Sequence, residues 1–95
     1  MLDSLRRIAE HLRSHRVAYA DKIESVSNQI RHTETSSLSP DELESVMGLF
    51  GGMGSLNDVY ISRRNGHVVD DEAEANRRLD LLREELWQEL RRIGG

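Results

Sequence analysis

Cysteine is absent from the 95 residues, which excludes disulfide staples and thiolate metal sites. Lysine occurs once, as Lys22, and the other twelve bases are arginines. No apolar run approaches the ~18 residues of a membrane span. The opening stretch MLDSLRRIAEHLRSHR is amphipathic and has no apolar signal core, so neither export nor a membrane is expected and the expected location is cytoplasmic. Positive charge is not in excess either. The net charge is −4, which argues against nucleic acid as a partner. Leu, Ile, Val and Phe make up about a quarter of the chain, above the ~20% below which charged chains tend to stay disordered. A small core is therefore affordable. A chain this short buries only roughly 60–65% of its unfolded surface, which leaves little room for a deep, dry catalytic cavity. One domain, residues 1–95, is expected.

Leu5, Ile8 and Leu12 recur at spacings of three and four, the stripe of a helix over about residues 3–14. Tyr19, Ile23, Val26 and Ile30 predict a second helix over about 17–32. The two stripes are offset by one residue. A single helix across both would be about 42 Å long, against a radius of gyration of about 12 Å for a domain of this size, so a break is expected near Ser14 to Val17. Thr33 to Ser39 is rich in hydroxyls and reads as a loop. Ser39-Pro40-Asp41-Glu42 is a strong helix start, with Ser39 and Glu42 forming a capping box and Pro40 at the first helical position. Leu43, Val46, Met47 and Phe50 supply the apolar face of a third helix over about 40–50.

Gly51 and Gly52 end that helix, and a glycine loop over 51–58 follows. Val59-Tyr60-Ile61 and Val68-Val69 flank Asn65-Gly66, a strong hairpin signal, so an antiparallel ribbon is expected over 59–69. Asp70 and Asp71 start the last helix, about 71–93, with Ala75, Leu79, Leu82, Leu86, Leu90 and Ile93 as its stripe and Glu74 placed to pair with Arg78. The expected fold class is mainly α (α+β): about four helices in a small bundle, with one short hairpin between the third and fourth.

The glycine loop does not read as a phosphate loop. A helix precedes it rather than a strand, no Lys-Ser or Lys-Thr follows, and Asn57 stands where a dinucleotide fingerprint has its third glycine. Its glycines instead suit a sharp turn out of a helix. Phe50-Gly51-Gly52-Met53-Gly54-Ser55-Leu56-Asn57-Asp58, followed by Val59-Tyr60-Ile61, resembles an uncharacterised small bacterial domain-of-unknown-function family. The resemblance covers about residues 2–93 in layout and is specific over 50–61. It implies two N-terminal helices and a C-terminal helix starting near a Leu-Arg pair, here Leu82-Arg83. It also implies a place among the small acidic proteins encoded beside polymorphic toxins, and hence an immunity function. Members of the family it resembles often carry a Trp where this chain has Val17-Ala18-Tyr19.

Other constellations are thin. His11 and His15 lie one helical turn apart, but no third ligand is clearly aimed at them, so no metal and no cofactor are expected. Ser55 lacks the frame of a nucleophile elbow, and no catalytic residues are assigned. Charge is more telling. Residues 34–58 hold Glu34, Asp41, Glu42, Glu44 and Asp58 and no base. An acidic surface of this kind speeds encounter with a basic partner and rejects wrong ones. Trp87 is the only tryptophan, framed by Arg83 and Arg91 one turn away on either side, and such groups dominate binding hot spots. The expected function is a non-catalytic protein-binding module, sharpened by the resemblance to an immunity or antitoxin-type protein masking a basic toxin. Its expected contact residues are Asp41, Glu42, Glu44, Asn57, Asp58, Arg83 and Trp87. The alternatives are a small ligand-binding domain or enzyme using a pocket at the glycine loop, and a homodimeric structural protein joined through the last helix.

Overall fold

A computed structural model describes residues 2–30, 39–50 and 55–94. Four α-helices occur among them: α1 (Leu2–Ser14), α2 (Tyr19–Gln29), α3 (Pro40–Met47) and α4 (Glu72–Gly94). The apolar stripes explain their packing. Leu5, Ile8 and Leu12 of α1, Ile23 of α2, Val46 of α3, and Leu79 and Leu86 of α4 are all fully buried in one cluster. α1 lies between α2 and α4 and packs on both. No helix among the described residues is long and apolar enough to cross a membrane.

The chain turns between α1 and α2 without glycine or proline. The Val17 N–H donates to the Leu12 carbonyl at 2.9 Å and the Arg16 N–H to the Arg13 carbonyl at 3.0 Å. Arg16 has φ 57°, in the left-handed region. This is the paired bonding of a Schellman motif, with buried Val17 and Leu12 as its apolar contact. The position normally taken by glycine is held by an arginine, so the stop is cryptic in the sequence.

α3 begins as its sequence demands. The Glu42 N–H donates to Ser39 Oγ (3.2 Å) and the Ser39 N–H to Glu42 Oε1 (3.0 Å), with Pro40 in the first turn. A 3₁₀ turn, Gly48–Phe50, continues it and buries Leu49. α4 is opened by Asp71, whose Oδ1 accepts the Glu74 N–H at 3.0 Å. Glu74 pairs with Arg77 rather than with Arg78.

The expected β-hairpin is not there: no strand occurs among the described residues. Between Ser55 and Asp71 the chain instead forms 3₁₀ turns at Leu56–Asp58 and Arg63–Asn65, linked by extended segments. The reversal at Asn65-Gly66 does occur. Only Gly66 adopts positive φ (85°), and the loop closes when the His67 N–H donates to the Ser62 carbonyl at 3.1 Å. The ladder stops at once, because the Ser62 N–H donates to the His67 ring nitrogen Nδ1 rather than to a backbone carbonyl (3.1 Å).

Other partners have claimed the rest of both arms. Asn76 of α4 holds Ile61 from both sides, its Oδ1 accepting the Ile61 N–H at 2.8 Å and its Nδ2 donating to the Ile61 carbonyl at 2.9 Å. One amide side chain thus stands in for a neighbouring strand. His15 does the same for Val68. Its carbonyl accepts the Val68 N–H (2.9 Å) and its Nδ1–H donates to the Val68 carbonyl (2.7 Å). Arg63 takes the carbonyls of Val69 and Asp70 at 2.8 and 2.9 Å. With their backbone groups already satisfied, Ile61 and Val69 are buried in the helical core rather than paired with each other, while Val68 stays exposed.

Candidate functional site

α4 carries two adjacent stripes. The apolar one, Ala75, Leu79, Leu82, Leu86 and Leu90, is buried. Beside it run Asn76, Asp80, Arg83 and Trp87 at spacings of four, three and four, so they share one face. That face meets the segment that follows Ser55. Arg83 is its clamp. Its Nη1 donates to the carbonyls of Leu56, Asn57 and Val59 at 3.0, 3.3 and 3.5 Å, and its Nη2 binds Asp80. The guanidinium thereby collects the carbonyls at the end of a 3₁₀ turn. The Leu82-Arg83 pair lies well inside α4, not near its start.

One turn beyond the clamp, Trp87 is 39% exposed. Its ring meets that of Phe50 edge to face, with centroids 5.4 Å apart and planes at 61°. The two rings, with Asn57, Asp80, Arg83 and Glu84, line an open cleft of about 480 Å³. Three expected contact residues, Asn57, Arg83 and Trp87, are therefore brought together. Asp41, Glu42 and Glu44 do not line this cleft. Asp41 and Glu44 are exposed on α3, whereas Glu42 is buried and committed to the cap. Asp58 is exposed and adjoins the cleft residue Asn57. Its charge and, more strongly, burial raise the pKa of Tyr19, whose hydroxyl is buried without a hydrogen bond. Phe50, Asp80 and Glu84 were missed as site residues. The signal was present for two of them, since Asp80 and Glu84 fall on the face of Arg83 and Trp87 by helical spacing alone. Glycines 51, 52 and 54 of the expected loop lie outside the described residues.

His11 and His15 do not form a solvated pair. Their rings pack edge to face at 5.0 Å, and His11 Nε2–H donates to the Ala75 carbonyl at 2.8 Å. The pair fastens α1 to the entry of α4. Burial lowers the His11 pKa below its ordinary value; the neighbouring charges of His15 and Arg78 act the same way, and the Ala75 hydrogen bond opposes them. No group of three or more His, Cys, Asp or Glu is arranged to hold a metal ion among the described residues.

Residues 9–70 match a family described as a domain of unknown function, DUF6966. The chain belongs to this family. The match runs from the second half of α1 to the edge of α4, so Phe50 and Asn57 lie inside it while Asp80, Arg83, Glu84 and Trp87 lie beyond. No curated protein and no solved structure is significantly similar to the chain.

Proposed function

We propose that this DUF6966 protein is a non-catalytic protein-binding module of the immunity type, which neutralises a cognate toxin in the cytoplasm by covering a basic surface on it. The observation that carries the reading is charge. From Ser39 to Ser62 the chain has no Lys or Arg. The exposed carboxylates Asp41 and Glu44 have no ion pair among the described residues, whereas Glu24, Glu74, Asp80 and Glu85 each have an arginine partner. Uncompensated charge of one sign destabilises a fold slightly and steers an oppositely charged partner strongly. The open cleft beside Trp87 adds an aromatic anchor, the residue type that dominates interface energetics. The resemblance to small acidic proteins encoded beside polymorphic toxins supports the same reading.

The test is affinity capture from the native host after crosslinking, followed by expression of the captured protein alone and together with this chain. A basic partner that arrests growth alone and is tolerated in the pair supports the reading. Reversal of Asp41 and Glu44 to Lys should slow association and flatten its dependence on salt, because rim charges act mainly on encounter. An acidic partner, or a second copy of this chain as the sole capture, overturns it.

A further inference from the structure

We propose that the cleft between Phe50 and Trp87 receives an arginine side chain of the partner, stacked on the indole and paired with Glu84; this rests on the protein-binding reading above. Glu84 and Trp87 are three residues apart on α4 and therefore neighbours on its surface. Both line the cleft. Among the described residues the Glu84 carboxylate has one partner, the Gln88 amide at 2.8 Å, and no cation. Its neighbours on α4 are treated differently: Asp80 is bound by Arg83 and Glu85 by Arg7. On the cleft side of Glu84, Arg83 is spent on three carbonyls and Asp80, while Arg7, on the other side, pairs with Glu85. Phe50 fixes the indole by its edge contact while 39% of Trp87 stays exposed.

An indole beside an unpaired carboxylate selects for a flat cation. A guanidinium stacks on an aromatic face and still presents N–H groups in its own plane to a carboxylate. An ammonium can also sit over a ring, as Lys22 does over Tyr19. Its compact, strongly hydrated charge gives no flat face to stack and no fork of donors, so it fits this cleft less well. An aliphatic side chain would bury the Glu84 charge with no cation beside it, which is costly, and an incoming carboxylate would be repelled by Glu84.

Trp87 is the sole tryptophan, so emission excited selectively from tryptophan, past the absorption of Tyr19 and Tyr60, reports on this cleft. A random peptide library should be selected on the folded protein, and the recovered peptides titrated against Trp87 emission. The expected binders carry an arginine, shift the emission, and bind about tenfold more weakly to Trp87→Ala and to Glu84→Gln. Replacing that arginine by citrulline, which keeps the shape and removes the charge, should cost the same and leaves the protein's fold out of the comparison. Recovery of no Trp87-dependent peptide, indifference to Glu84→Gln, or equal binding of the citrulline peptide overturns the proposal. The two readings fail separately: a captured basic toxin that binds Trp87→Ala undiminished removes the cleft but keeps the immunity module, whereas an acidic captured partner removes the module itself.

Discussion

The helical pair α1–α2 and the segment from Ser55 to Asp71 are joined to the same core but are held by different means. In α1 and α2 the backbone satisfies itself, and side chains need only supply an apolar stripe. Between Ser55 and Asp71 short-range turn bonds are supplemented by Asn76 and Arg83 of α4, by His15 just beyond the end of α1, and by Arg63 from within. Redundancy separates the two. A helix loses one weak contact when one surface residue changes, whereas Ile61 loses both of its backbone bonds when Asn76 does. The segment that looked most like regular structure in the sequence is thus the one most exposed to single substitutions.

The largest effect is expected at Asn76. Asn76→Ala leaves a buried N–H and a buried carbonyl without partners at Ile61, and should cost about 2–3 kcal/mol, lowering Tm by roughly 10 °C or more. Amide exchange at Ile61 should accelerate well beyond that at Ile23. Equal acceleration at the two sites would mean that the regions are one cooperative unit and that the contrast between them is false.

Arg83→Ala comes next, at about 1–2 kcal/mol in urea denaturation, because three carbonyls lose a charged donor. Asp80→Asn should cost no more than about 1 kcal/mol, since that carboxylate is mostly exposed and surface pairs contribute little. If the two substitutions cost the same, the ion pair rather than the carbonyl clamp holds the segment.

His11 gives a pH-dependent version of the contrast. Its folded pKa lies below the ordinary value of about 6.5, so the unfolded chain binds more protons just beneath that value. Its contribution is therefore complete above about pH 6.5 and is lost as pH falls through the window below. His11→Gln should flatten the fall in urea midpoint between about pH 7.5 and about pH 5.5. An unchanged slope would place the titration elsewhere.

The smallest pair of effects has opposite signs. Arg16→Gly should stabilise by about 0.5–1 kcal/mol, because glycine suits the left-handed C-terminal position that Arg16 occupies under strain. Gly66→Ala should destabilise by about 1 kcal/mol at φ 85°, although nothing lies within 4 Å of its new methyl. Thermal melts of the two variants should move in opposite directions.

These expectations also show what was legible in advance. The stripes Leu5-Ile8-Leu12 and Leu79-Leu82-Leu86 and the cap Ser39-Pro40-Asp41-Glu42 act within a turn or two of chain, and the helices they describe are present. The break after α1 followed from chain length, because the Schellman turn hides behind an arginine. The ribbon was misread because Val59-Tyr60-Ile61 and Val68-Val69 carry β propensity, which states a preference for burial and extension without naming a partner. Asn76, His15 and Arg63 supplied those partners from 15, 53 and 6 residues away, beyond any local pattern. The cleft was half legible. Trp87 and Arg83 stood out by residue type, while Glu84 needed the knowledge that among the described residues no base pairs with it.

The twofold grip on Ile61 and on Val68 has a further effect on how the protein behaves at high concentration. Extended, β-branched segments with open N–H and carbonyl rows recruit strands from other molecules. Here Asn76 and His15 occupy both backbone groups of one residue in each arm, Ile61 and Val68, so neither is open to a strand from another molecule. The side chains that prevented a ribbon from forming within the molecule thus also guard against one forming between molecules.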